Sequence, residues 1–216
     1  TQSDAQQVWQ GAKADADFDA FAPVLDDLRE LHLDRASHID DSADPYEVMF
    51  EDGEPYLPLD RVEEIFDTLR EHLVPLVEEL KASDTEFTSP YDGEYDDDTQ
   101  MELCREIVDH LGYDWDRGRL DTAPHPFMVG PQFDARITTR FAADDPLGAV
   151  MSTVHEFGHA SYQHGLPDDQ YGHPLGQSLS SGVHESQSRF WENHVGRTEA
   201  FWEYATPIVN ENRDAD

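Results

Sequence analysis

Lysine is nearly absent from this chain: Lys13 and Lys81 are the only two among 216 residues. All basic residues together number 14, against 48 aspartates and glutamates, for a formal net charge of −34. Charge of that sign repels phosphate, which argues against nucleic acid as a partner. Cysteine is scarcer still. Cys104 stands alone, so an internal disulfide framework is excluded, and its place in a helical pattern marks it as a buried filler rather than a nucleophile. No run of about 18 apolar residues occurs, so no membrane-spanning helix is expected. Thr1 to Lys13 offers neither a basic start nor an apolar run, so no secretory signal is expected. A cytoplasmic setting fits these absences.

The acidity has two readings. High net charge with modest hydrophobicity, here 38%, is a signature of disorder. It is also what a folded protein acquires in a salt-rich cytoplasm, where self-repulsion is screened and carboxylates hold water. The aromatic share of 11% favours the second, halophilic reading, because disordered chains are poor in aromatics. Near-exclusive use of arginine as the cation leans the same way, since replacing lysine by aspartate also removes a long apolar stem.

The pattern is mainly α-helical, with no internal repeat. From Asp4 to about Ala36, Val8, Phe18, Phe21, Val24, Leu25, Leu28 and Leu31 recur at helical spacing. Asp40 to Pro58 reads as a long acidic connection. Asp60 to Lys81 is the clearest amphipathic helix, with Val62, Ile65, Phe66, Leu69, Leu73, Leu76, Val77 and Leu80 at three- and four-residue steps. Pro75 inside it predicts a kink or break. Ser83 to Asp98 reads as a loop, and Thr99 to Leu111 as a helix closed by Gly112. Ala135 to Phe141 is β-branched and predicts a strand. Asp145-Pro146 supplies a cap and a first-turn proline for a helix ending near His164, where Gly165 stops it. Further helices are expected over Ser181–Val195 and from Glu199 to about Asn210, with a frayed end from Asn212. The expected organisation is a helical part, 1–120, and a metal-site part, 121–216, packed as one domain.

The chemistry lies in the helix that follows the strand. His155 and His159 are four residues apart, about 40° round a helix, so both imidazoles can reach one cation. Glu156 stands beside them. This is the H-E-x-x-H arrangement, two metal ligands and a general base. Zinc would lower the pKa of a bound water toward about 7, and Glu156 would take its proton as the water attacks a carbonyl. In a chain of this composition the pattern arises by chance about 5% of the time, but its place between an N-cap and a glycine stop adds weight. The bland alternative is two histidines on a solvated face. A catalytic zinc needs a third protein ligand. His164 lies about 140° further round the helix and points away, so a glutamate on a following helix is the better candidate. Glu185 has that setting, although in so acidic a chain an ordinary surface carboxylate competes with the assignment.

Four blocks in order carry a resemblance: His125-Pro126-Phe127, Asp134-Ala135-Arg136-Ile137-Thr138-Thr139, His155 to His159, and His184-Glu185-Ser186-Gln187. They resemble the H-P-F, D-x-R-x-T-T, H-E-x-x-H and H-E-S-Q signatures of the carboxypeptidase Taq family of metallocarboxypeptidases, and Arg189 to Asn193 is similar too. The resemblance implies a nearly all-helical, gluzincin-like fold with a small β element before the active-site helix. It implies metal ligands at His155, His159 and Glu185, with zinc, cobalt or another divalent ion, and Glu156 as the base. It also implies peptide substrates trimmed from the C-terminus, a long substrate groove, and a homodimer as a common assembly. An endopeptidase or oligopeptidase would use the same water and base. His125 and Arg136 are candidates for substrate contact, and Asp134 for accepting a hydrogen bond from a ligand histidine; each has an equally good reading as a structural hydrogen bond. Two later signatures of the family, I-R-x-x-A-D and G-x-x-Q-D-x-H-W, do not occur here, and family members are roughly twice as long. The expectation is therefore a fragment or a short relative, in which the metal site is complete and the exopeptidase machinery is not.

Overall fold

The computed structural model describes residues 2–85 and 94–213. The chain divides into two compact units, Thr1–Glu86 and Phe87–Asp216. The helix after the division at 86/87 supplies core to the second unit.

The first unit contains α1 (Gln2–Ala14), α2 (Phe18–Ile39), α3 (Pro45–Gly53) and α4 (Leu59–Lys81). The expected single helical stretch is two helices. Ala16 turns the chain at φ +53, and the Asp17 carboxylate caps α2 by accepting from the Ala20 N–H at 3.2 Å. The acidic connection holds a helix of its own, α3. Asp44 accepts from the Tyr46 N–H at 2.8 Å and Pro45 occupies the first turn, the same Asp-Pro start read correctly at 145–146. Pro75 does not break α4, which is one continuous helix. No described residue of α4 is buried, and Phe66 and Leu80 of its apolar stripe are 58% and 61% exposed. Among the described residues, this unit buries only Ala5, Ala12, Ala36 and Val48 of its hydrophobics.

The second unit carries α5 (Asp97–His110), β1 (Leu120–Thr122), β2 (Met128–Val129), β3 (Arg136–Thr139), α6 (Pro146–His164), α7 (Ser181–Arg189) and α8 (Glu199–Arg213). Residues 86–93 of the expected loop lie outside the described residues. The rest of that loop ends early, since Asp96 caps α5 by accepting from the Thr99 N–H at 2.7 Å. Residues 214–216 of the expected frayed end are likewise outside them, and α8 runs on to Arg213. The helix expected over Ser181–Val195 is α-helical only to Arg189; Phe190–Val195 is a π-helical turn.

The core of this unit joins Leu103, Cys104, Ile107 and Val108 of α5 with Val150, Val154, Phe157 and Ala160 of α6, and with Phe201, Ala205 and Val209 of α8. Burial pushes the Cys104 thiol up to about 12, which fits a filler and not a nucleophile. The sheet has the order β1-β3-β2, with β1 parallel and β2 antiparallel to β3. It braces the front of α6. Thr139 Oγ1 donates to the Ala149 carbonyl at 3.3 Å. Thr138 ties down the loop before β2: its Oγ1 accepts from the Phe127 N–H at 2.9 Å, and its own N–H donates to the Phe127 carbonyl at 2.9 Å. No helix among the described residues is long and apolar enough to cross a membrane.

Candidate metal centre

The α6 helix starts where Asp145 accepts from the Gly148 N–H at 2.9 Å. Its periodicity then turns Val150, Val154 and Phe157 into the core and leaves His155 and His159 on another face, with ring centroids 5.0 Å apart. The helix that faces them, α7, is capped by Ser180, which accepts from the Val183 N–H at 3.2 Å. Gly158 allows the two helices to meet. A Cβ there would stand 2.6 Å from both the Gln187 carbonyl oxygen and the Ser188 Cα, so only glycine permits this separation.

That approach carries Glu185 to the histidines. Its Oε2 lies 3.3 Å from His159 Nε2, and its Oε1 lies 3.9 Å from His155 Nε2. One donor atom from each of the three residues falls within 4.8 Å of the others. A tetrahedral ion with bonds of roughly 2.0–2.1 Å spaces its ligands by about 3.3 Å, so the set fits a divalent cation after small side-chain adjustments. The protonation states fit as well. Burial, reinforced by the His184 and His155 rings, draws His159 down to about 4, leaving the neutral imidazole that ligation requires.

An outer layer orients these donors. His155 Nδ1–H donates to Glu192 Oε2 at 2.9 Å, which leaves the Nε2 lone pair facing Glu185. Glu192 is 13% exposed. Partial burial opposes its ionisation, but hydrogen bonds from His155 and Arg197 and the Arg189 charge outweigh burial and hold the carboxyl below its ordinary range. His184 stacks on His159 at 4.4 Å between centroids and 14° between planes, and the Tyr162 ring meets His184 edge-on.

A cleft of about 380 Å³ opens beside this cluster, lined in part by His125, Ser152, His155, Glu156 and Arg189. Burial pushes the Glu156 carboxyl up to about 7, with the His155 charge opposing the rise and Glu185 adding to it. A cation among the donors would draw it down again.

The sequence-predicted residues fall into two groups. His155, Glu156, His159 and Glu185 converge, and His125 borders the same cleft. Asp134 and Arg136 do not converge with them. They pair with each other through two hydrogen bonds of 2.9 Å, and the carboxylate on His155 is Glu192, not Asp134. Asp134 sits on the loop entering β3, two residues ahead of the paired stretch, and is spent on its neighbour. His164 points away as expected, with Nε2 donating to the Arg117 carbonyl at 2.9 Å.

A family model described as carboxypeptidase Taq (M32) metallopeptidase matches residues 1–216, the whole chain. The chain belongs to that family. Among its relatives, Carboxypeptidase 1 of Bacillus subtilis is 34% identical over 218 residues, covering 99% of this chain and 42% of the relative. Thermostable carboxypeptidase 1 of Thermus thermophilus is 35% identical over 222 residues, covering 97% and 43%. The crystal structure of the M32 carboxypeptidase from Deinococcus radiodurans aligns with a TM-score of 0.81 at 35% identity, over 97% of this chain and 43% of that one. The chain thus spans less than half the length of the relatives it matches. An M32 membership implies a divalent metal, and the donor set described above is where this chain would hold it.

Sequence reasoning missed Glu192, His184 and Arg189. Arg189 and Glu192 follow Glu185 by four and seven residues, a same-face spacing that could have flagged them. The π turn, which brings Glu192 and Arg197 together across five residues (3.0 Å), has no sequence signature.

Proposed function

We propose that this chain forms the metal-site portion of a zinc carboxypeptidase that removes residues from peptide C-termini. The observation that carries the reading is the convergence of His155, His159 and Glu185, with Glu156 beside them at the edge of a cleft. His155, His159 and Glu185 would hold the ion. When bound, it supplies Lewis acidity, making a water acidic and polarising a peptide carbonyl. Glu156 accepts the proton of the attacking water and returns it to the departing amine. Glu192 keeps His155 in the tautomer whose Nε2 is free. His125, which lines the same cleft, contacts substrate. Two sequence suggestions are withdrawn: Arg136 and Asp134 neutralise each other, and neither lines the cleft. The −34 charge supports a salt-rich cytoplasm as the working medium.

One alternative is a metal-binding module that does not turn over peptides. Mass analysis of a defined peptide, incubated with zinc-loaded protein across 0.1 to 2 M KCl, separates the readings. Loss of single C-terminal residues, rising with KCl and abolished by a chelator, is the expected result. Internal cleavage would assign an oligopeptidase, and an intact peptide with zinc bound would assign the non-catalytic reading. Activity that falls with KCl would remove the salt-adapted one.

A further inference from the structure

Arg189, which lines the cleft, has partners that give it a role in metal binding. Arg189 Nε donates to Glu185 Oε1 at 3.0 Å, and its Nη1 donates to Glu192 Oε2 at 3.0 Å. Glu185 is a proposed ligand, and Glu192 Oε2 is the atom that receives the His155 Nδ1–H. A single guanidinium therefore reaches two of the three donors, one directly and one through Glu192. On Glu185 it occupies Oε1 and leaves Oε2 as the oxygen 3.3 Å from His159 Nε2. The planar fork of arginine suits this task, since two of its donors engage two carboxylates at once in fixed geometry.

We propose that Arg189 is a positioning residue for the metal: it sets Glu185 to bind through one oxygen and holds Glu192 against His155. The proposal rests on the metal-site reading above. It accounts for the local backbone. Arg189 ends α7, and the π turn that begins at the next residue presents Glu192 to Arg189, His155 and Arg197 together. It also accounts for an arginine in this cleft of an acidic protein, where Arg189 is the counter-charge that Glu185 and Glu192 share.

The experiment compares zinc dissociation constants of wild type, R189M and R189K by competition with a chromophoric chelator. Cobalt absorption spectra and metal-free melting curves are recorded on the same samples. R189M is expected to bind zinc about 10–100-fold more weakly and to show an altered cobalt spectrum. R189K is expected to fall between, because an ammonium engages one carboxylate at a time. The metal-free melting temperature should be nearly unchanged, since Arg189 is 56% exposed and exposed pairs contribute little to stability. Zinc binding by R189M within about twofold of wild type overturns the proposal, given the size of the effect expected. So does a large fall in its metal-free melting temperature, which would make the loss structural. A wild-type protein that takes up no zinc sinks the metal site itself, a different failure.

Discussion

Replacing Glu156 by glutamine is expected to leave zinc binding intact and to lower peptide turnover by on the order of 10³-fold or more, wherever the unaltered protein turns over peptides. Glutamine has almost the shape of glutamate but cannot accept the proton of an attacking water. A factor of 10³ corresponds to about 4 kcal/mol of transition-state stabilisation. Folding should not suffer. Glu156 is 6% exposed and its carboxyl is pushed up to about 7 by burial, so a neutral amide removes a desolvated charge and a repulsion with Glu185. Parallel measurement of zinc content, melting temperature and kcat checks each part. Near-wild-type turnover with zinc in place would move the base elsewhere; lost zinc would show that Glu156 also holds the site together.

Gly158→Ala is expected to destabilise the second unit, although helix propensity alone says the opposite. In an open helix the change would add about 1 kcal/mol. Here the new methyl would meet backbone, 2.6 Å from the Gln187 oxygen and the Ser188 Cα. Backbone cannot swing aside as a side-chain tip can, so α6 and α7 must separate. Overpacking of this kind costs about 1–3 kcal/mol, and each kilocalorie lowers the melting temperature by roughly 2–4 °C for a protein of this size. Glu185 rides on α7, so zinc affinity should fall with stability. A thermal melt and a zinc titration of this variant decide it. A higher melting temperature would mean that the two helices have slack at this crossing.

Much of the site was legible because its geometry is local. His155, Glu156 and His159 share one helix whose start, at Asp145-Pro146, and stop, at Gly165, are chemical signals in the sequence. Glu185 was visible as a candidate only, because its pairing with His159 depends on the contact at Gly158, a tertiary fact. Glu192 was missed for the same kind of reason: its role follows from a π turn in which hydrogen-bond spacing, not residue type, decides where the carboxylate points. Asp134 takes the second of its two readings, a structural hydrogen bond, because the arginine two residues on satisfies it. The Asp44-Pro45 start of α3 carried a readable signal, yet the surrounding acidity concealed it. The periodicity of α4 predicted a helix correctly and left its burial open, since amphipathicity reports a face that can be covered, not one that is.

The central claim is that His155, His159 and Glu185 form one metal site. Its most direct test is elemental analysis of wild type and His159→Ala, both purified without chelator, freed of any histidine tag, and dialysed against zinc. The account predicts about one zinc per chain in wild type and close to none in the variant, with both folded by circular dichroism. A wild type that stays zinc-free, or a variant that retains its full zinc, would contradict it.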